Sequence, residues 1–445
     1  MNTKTSSTKA LSEKQLSKNR GYYIAEAGLE YLISLLITDA FLAKLLTMSG
    51  IDDSVAGIVT ELAAFAFSAQ LVSVFFRKTK GMKLFVTIMH LINQVMFVLL
   101  YLVPVINIPS AAKMWLIVIM FLGGHLIANV ISPYKLSWFM SFVPDNTRGR
   151  FTANKEIVSL FIGTVFSLGM GYIADSYEAK GQDEVYFAIC GVTIFVLAVL
   201  HMMSIILVKD HPENEDVGEH VSFSKAMKTT FSNSALMKII IMDIIWQFSS
   251  KLSLAYYGVY KNNVLEFDMM FIAFLTAVSA VSRIAFSRFF GKLADKYSWR
   301  TLLKICFTIA SVGFLVVLFT KPGKCLFTVF GYEIYFQHLM FMLYSMIYAI
   351  SMAGINSGLM NIIFDYVPKE ERAPALGIKS AAGGLAGFLS SFLGGYIIYT
   401  TQSNGDKIAG YTVYGQQILS GITFVLCIGL IMYMIFVIDR IGKKR

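Results

Sequence analysis

Ionisable side chains set inside long apolar runs are the first candidates for chemistry in this chain, because one such group at membrane depth costs about 3 kcal/mol on insertion scales. Asp243, Gln247 and Lys251 recur every fourth residue and form one polar stripe on a predicted helix. Asp243 and Lys251 would stand about 12 Å apart along its axis, so each needs a partner elsewhere or water. Asp39 lies deep in the first apolar run, with Glu26 and Glu30 near its inner end. At about 100° per residue Glu30 and Asp39 point to opposite sides, so only one can face a central path squarely. Asp39, and Glu61 on the second run, are read either as lining such a path or as half of a structural ion pair. Glu26 and Glu30 either join them or sit in the headgroup zone.

Other polar groups extend the set. His125 and Asn129 share a helical face, followed by Pro133 and Lys135, and Lys135 is expected to snorkel to the inner surface. Tyr344, Tyr348, Ser351 and Asn356 combine aromatic planes with hydrogen-bonding groups. Such a face suits a neutral or zwitterionic solute with hydroxyls, and it would equally serve packing. Arg283 is open to three roles: balancing Asp243, holding an anion, or anchoring a loop. These groups are candidates for a solute or ion path, and no enzyme activity is expected. Cys190, Cys306, Cys325 and Cys427 are scattered, without a CxxC or Cys/His cluster, so no disulfide framework, metal site or cofactor is expected. Only Cys325 falls in a predicted outer loop.

The elements that must position these groups follow from composition. With 56% hydrophobic and 15% charged residues over 445 positions, the chain belongs in a bilayer. Its apolar runs reach the roughly 20 residues that cross a membrane. Read against polar breaks they give twelve spans, near 24–48, 54–76, 82–104, 113–140, 152–174, 184–208, 236–260, 267–290, 301–320, 334–364, 374–400 and 411–438. The expected fold is therefore an all-α membrane protein of twelve helices in two pseudo-symmetric six-helix bundles.

Lys and Arg set the orientation. With the N-terminus inside, cytoplasmic segments hold roughly 27 basic residues against about seven outside. Arg77-Lys78-Thr79-Lys80, Lys292 to Lys304 and Lys443-Lys444-Arg445 are the clusters, so both termini are expected in the cytoplasm and the protein in the cell membrane. This asymmetry accounts for the net charge of +10, and no nucleic-acid partner is expected. Residues 1–21 lack a signal-peptide core and read as a cytoplasmic tail, followed by an N-terminal bundle over 22–208. A cytoplasmic linker spans 209–235, a C-terminal bundle 236–438, and a basic tail 439–445. Within the linker Phe223, Met227 and Phe231 suit a short helix on the inner membrane surface; a plain disordered linker is the alternative.

One segment occurs twice. Val143-Pro144, Arg148, Lys155, Gly163, Ser167 and Gly171-Tyr172-Ile173 recur as Val367-Pro368, Arg372, Lys379, Gly387, Ser391 and Gly395-Tyr396-Ile397. The ungapped stretches share about nine identities in roughly 31 positions. Small residues at Ser159, Gly163, Ser167 and Gly171, and at Gly383, Gly387, Ser391 and Gly395, form a smooth row on each helix. Such rows let backbones approach closely, as static packing or as a sliding interface between halves. A duplicated bundle of apolar helices points to a transporter with alternating access.

These residues resemble the major facilitator superfamily. Gly291-Lys292-Leu293-Ala294-Asp295-Lys296-Tyr297-Ser298-Trp299-Arg300 looks like the family's loop signature, with Ser298 where Gly is usual and Trp299 where a basic residue is usual. The resemblance implies that Asp295, with Lys296, Arg300 and Arg288, clasps neighbouring helix ends in the outward-open state. Arg148-Gly149-Arg150 looks like the family's loop between the fourth and fifth helices. Residues 65–85 contain no acid, so the matching clasp in the first half is missing or rebuilt. The fifth helix also lacks the Gly-Pro signature of similar drug-proton antiporters. By the same resemblance the first and seventh helices line the central cavity.

The expected function is secondary active transport of a small organic solute, coupled to protons or another ion, by a monomer. Without a Walker motif, ATP-driven transport by this chain alone is excluded. Efflux of lipophilic cations is the alternative, and a non-transporting sensor or scaffold is the alternative of another class.

Overall fold

In a computed structural model, residues 11–75, 82–144, 148–209, 223–329, 331–367, 372–408 and 410–441 are described. The first half contains α1 (Glu13–Leu36), α2 (Asp39–Met48), α3 (Asp53–Phe65, continued by a 3-10 stretch Ala66–Phe75), α4 (Met82–Leu100), α5 (Ser110–Met140), α6 (Arg148–Glu178) and α7 (Asp183–Leu207). The second contains α8 (Phe223–Ser232), α9 (Ser234–Val259, continued by a π turn Tyr260–Val264), α10 (Met269–Lys296), α11 (Trp299–Leu318), α12 (Phe336–Phe364), α13 (Arg372–Ser403) and α14 (Gly415–Tyr433). Ten helices are long and apolar enough to cross a membrane, and α1 with α2 makes an eleventh when that bent pair is counted as one span. Helix α9 is 26 residues long but carries Lys238, Asp243 and Lys251. Apolar side chains such as Phe161, Val192, Val281 and Tyr396 face outward, as a lipid-facing surface requires.

Helix ends follow local chemistry. Ser12 caps α1 by accepting from the Gln15 N–H, Asn233 caps α9 at Leu236, and Asp268 caps α10 at Phe271. Ser298, at the position where glycine was expected in the loop signature, caps α11 through the Thr301 N–H at 3.2 Å. The first span is broken rather than continuous: α1 and α2 meet at 42°, and Asp39 takes a left-handed φ of 49°. Tyr101 Oη donates to the Leu36 carbonyl that the break exposes.

Two differences from the sequence expectation concern the ends and loops. Helix α1 starts at Glu13, inside the segment read as a tail, because Asn19 is fully buried and exchanges two hydrogen bonds with Lys209 at 2.8 and 3.1 Å. Two antiparallel hairpins, Cys325–Val329 with Tyr332–Tyr335 and Lys407–Ile408 with Tyr411–Thr412, add strand to an expected all-α chain. The linker holds α8, where Met227 packs on the core and Phe231 is exposed. Residues 1–10, 210–222 and 442–445 of the expected tail, linker and basic end lie outside the described residues.

Between the halves, α3 packs on α13 and α9, α6 on α10, and α2 on α9. The hydrogen bonds joining them gather at the end opposite the termini, called here the far end. There Asn262 donates to the Ala40 carbonyl, Asn263 to Asp53 and Thr47, Gln402 to Asp53, and the Met269 and Met270 amides to the Asp175 carboxylate.

Candidate functional site

A cavity of about 340 Å³ lies between the halves. From the first half Asp39 and Glu61 enter its wall, and from the second Lys251, Lys261, Tyr344 and Tyr348. Lys251 Nζ stands 3.1 Å from Glu61 Oε1, joining α9 to α3. Glu61 is only 2% exposed, and its other oxygen, Oε2, has no hydrogen-bond partner among the described residues. Lys261 stands on the π turn that extends α9 and pairs with Asp39. Both ion pairs therefore span the halves. On the opposite wall the Tyr344 and Tyr348 rings stack at 5.6 Å and 23°, with Tyr257 edge-on to Tyr344 at 5.2 Å.

A second cavity, about 540 Å³, lies mostly within the first half, where Glu30, Gln94, His125 and Lys155 line it together with Arg283 from α10. Arg283 meets Glu156 at 2.9 Å, so its role is a third pair between the halves rather than a partner for Asp243. Beside this cavity runs a buried chain of charge. Lys135 Nζ lies 2.8 Å from Glu26 and 2.5 Å from Glu30, His201 Nε2 is 3.1 Å from Glu26, and His201 Nδ1 meets Gln94 at 2.6 Å. His90 packs edge-on against His201 at 5.0 Å. Lys135 thus does not snorkel, because two carboxylates on α1 hold it inside. Glu26 is fully buried rather than set among headgroups. Donor atoms of Glu26, Glu30 and His201 fall within 4.8 Å of one another, a spacing that suits a metal ion, but the Lys135 ammonium already bridges the two carboxylates.

The remaining sequence candidates are distributed unevenly. His125 sits between the rings of Phe97 and Phe121, and Asn129, on the same face, accepts from Gln70 and donates to the His125 carbonyl. Asp243 is 1% exposed; Lys379 of the repeat approaches it at 3.8 Å, and Gly383 lies against both Asp243 and Gln247. Asn356 is exposed and borders neither cavity. In the loop signature Gly291, Asp295 and Lys296 are exposed, and no ion pair of Asp295 occurs among the described residues. Instead Arg300 reaches the Asp439 carbonyl and the Tyr366 ring, and Lys304 pairs with Asp439 at 2.6 Å. Among the described residues, then, the loop signature is tied through Arg300 and Lys304 rather than through Asp295. Arg148 and Arg372 open α6 and α13, but their side chains lie outside the described ones.

The small-residue rows have matched neighbours. A Cβ on Gly163 would strike Tyr31 of α1, and one on Gly387 would meet Lys251 of α9 at 2.9 Å, each within its own half. Two turns on, the contacts cross: a Cβ on Gly171 would lie 2.7 Å from the Met269 carbonyl, and one on Gly395 would lie 2.7 Å from the Ser54 carbonyl. Tyr256 fills the adjoining space against Gly57 and Gly394 and donates to the Ser391 and Ser54 carbonyls at 2.6 and 3.3 Å.

Sequence reasoning missed Tyr256, Lys261, His90, Gln94 and His201. The last three were visible as polar groups inside apolar runs, the signal that singled out Asp243. Nothing in the sequence alone set Tyr256 or Lys261 apart from interface residues of a helix end.

A family model described as Major Facilitator Superfamily matches residues 23–335. The fold is similar to the crystal structure of nucleoside transporter NupG, at 14% identity and a TM-score of 0.67 over 95% of this chain and 99% of that one. A D-xylose-proton symporter matches at 15% identity and 0.65 over 94% and 96%. The xylose transporter XylE from E. coli, in a partially occluded inward open conformation, matches at 13% identity and 0.61 over 97% and 98%. No curated protein sequence matches the chain.

Proposed function

The chain belongs to the Major Facilitator Superfamily, and from that premise we propose that it is a secondary active transporter of a small organic solute, driven by the proton gradient. Counting α9 as a span alongside the other eleven gives twelve, six per half, with α8 as the link between them. Both termini then lie in the cytoplasm of a cell-membrane protein. One observation carries the reading: charged pairs that join the two halves converge on a cavity that both halves line. Such pairs are expensive in a static scaffold, and they are useful where the halves must separate and rejoin.

The far-end hydrogen bonds seal the outer side, so the arrangement is that of the state facing the cytoplasm. The neighbours named for nucleoside and xylose transport support a polar organic cargo, and the symporter among them supports proton coupling. We assign the proton to the Glu26–His201 pair, flanked by Lys135, Glu30 and His90, with Asp39, which pairs with Lys261, as the other candidate in the first half. Asp243 remains the candidate in the second half.

Reconstituted protein tests this. An imposed pH gradient should drive uphill uptake, while solute counterflow should proceed without one. Glu26→Gln should abolish uphill uptake and spare counterflow; uphill uptake at the unsubstituted rate in this variant would remove the assignment. Raised tolerance of overexpressing cells to lipophilic cations, without counterflow of any polar solute, would instead establish drug efflux.

A further inference from the structure

The charged groups around the cavity between the halves are sorted by sign. The first half supplies only acids, Asp39 and Glu61, and the second only bases, Lys251 and Lys261. A cargo in contact with both halves therefore meets negative charge on one side and positive charge on the other. Glu61 adds a specific vacancy in bonding: Lys251 occupies Oε1, while Oε2 is buried and has no partner among the described residues. A carboxylate oxygen buried without a partner is destabilising, and a donor on the cargo would relieve it once Glu61 turns toward the cavity.

We infer that the solute is a zwitterion of the α-amino acid type with an apolar or aromatic side chain. Its ammonium pairs with the Glu61 carboxylate, and its carboxylate accepts from Lys251 Nζ. The two charges on neighbouring atoms of the head group then complete a ring of four alternating charges with the Glu61–Lys251 pair, and every charge has two opposite neighbours. A cation alone would face the lysines, an anion alone would face the acids, and a neutral sugar would leave the ring open. The side chain lies on the stacked Tyr344 and Tyr348 rings, with Tyr257 at their edge. A cavity of about 340 Å³ accommodates a solute of this size. The second pair, Lys261–Asp39, is ten residues further along, about 15 Å, so the head group engages only one of the two. Because the head group bridges an acid of one half and a base of the other, binding holds the halves together as the cavity closes. The inference rests on the transporter reading above and names the cargo of the same site.

Full-length protein in proteoliposomes tests it with chemical series rather than with variants alone. Counterflow is measured for L-phenylalanine, L-tyrosine, L-leucine and L-methionine, then for phenylalaninamide, 3-phenylpropionate and phenyl β-glucoside, which lack the carboxylate, the amine or both. At least one of the four amino acids should exchange, and removing either charged group should weaken apparent affinity by about tenfold or more. Glu61→Gln should narrow the gap between phenylalanine and 3-phenylpropionate, and Lys251→Met the gap between phenylalanine and its amide. Amides or acids that exchange as well as the parent would overturn the inference. Exchange of the glucoside or of a nucleoside but of none of the four amino acids would overturn it and leave the transporter reading standing. No exchange of any solute would remove both.

Discussion

Lys261 of the second half reaches Asp39 of the first at the far end, and Asp39 is held there in left-handed backbone, φ 49°. A left-handed non-glycine residue costs about 1–2 kcal/mol and persists when its surroundings demand it. Here the turn ends α1, starts α2, and presents the carboxylate to a buried ammonium.

Asp39→Asn keeps a residue that tolerates this conformation and removes only the charge. Together with Lys261→Met it should give a coupling of about 1 kcal/mol in a double-mutant cycle read by thermal unfolding. Hydrogen exchange of residues 255–264 should rise in both single variants. Strictly additive losses would show that the pair does not hold the far end shut.

Lys135 neutralises two buried or half-buried carboxylates on α1. Lys135→Met leaves Glu26 inside the first half without its ammonium partner and with only His201 beside it, at a cost of about 3–5 kcal/mol. Adding Glu26→Gln should return much of the lost stability, as measured by the apparent Tm in detergent. A double variant no more stable than the single one would mean that Lys135 acts mainly through packing.

The crossing glycines should be intolerant where the matched open ones are not. Gly171→Ala and Gly395→Ala each push a methyl group to 2.7 Å from a backbone carbonyl of the other half. Both should cut counterflow by about tenfold or more with expression retained, because backbone cannot give way as a side chain can. Gly291→Ala, which meets no atom within 4 Å, should transport normally.

Cys325 is exposed in the far-end hairpin, whereas Cys190, Cys306 and Cys427 are buried. A membrane-impermeant maleimide should therefore modify one cysteine per chain in intact cells and four after denaturation. Labelling that requires permeabilised cells would invert the proposed orientation.

The repeat was legible in the sequence down to individual contacts, since Gly171 and Gly395 occupy equivalent places against the opposite half. That works because close backbone approach leaves a compositional trace at fixed spacing. Ion-pair partners leave no such trace. Lys135 read as a snorkelling residue because nothing local shows that Glu26 and Glu30 approach from another helix, and nothing local to Glu61 shows that Lys251 stands beside it. His201 and Gln94 carried the same signal as Asp243 and were passed over beside richer stripes. Asn356 went the other way: it extends the face of Tyr344 and Tyr348 in sequence, but α12 turns it out of the cavity.

The glycine contacts also constrain how the molecule can turn. Gly171 on Met269 and Gly395 on Ser54 lie in the last third of α6 and α13, in equivalent places of the repeat. A rigid body touching another at two points keeps both contacts only by rotating about the line through them. In the transport cycle proposed above, keeping both contacts would make that line the axis of rotation, and it runs nearer the far end than the middle. The lever arms are unequal: a small outer parting accompanies a wide swing at the cytoplasmic mouth.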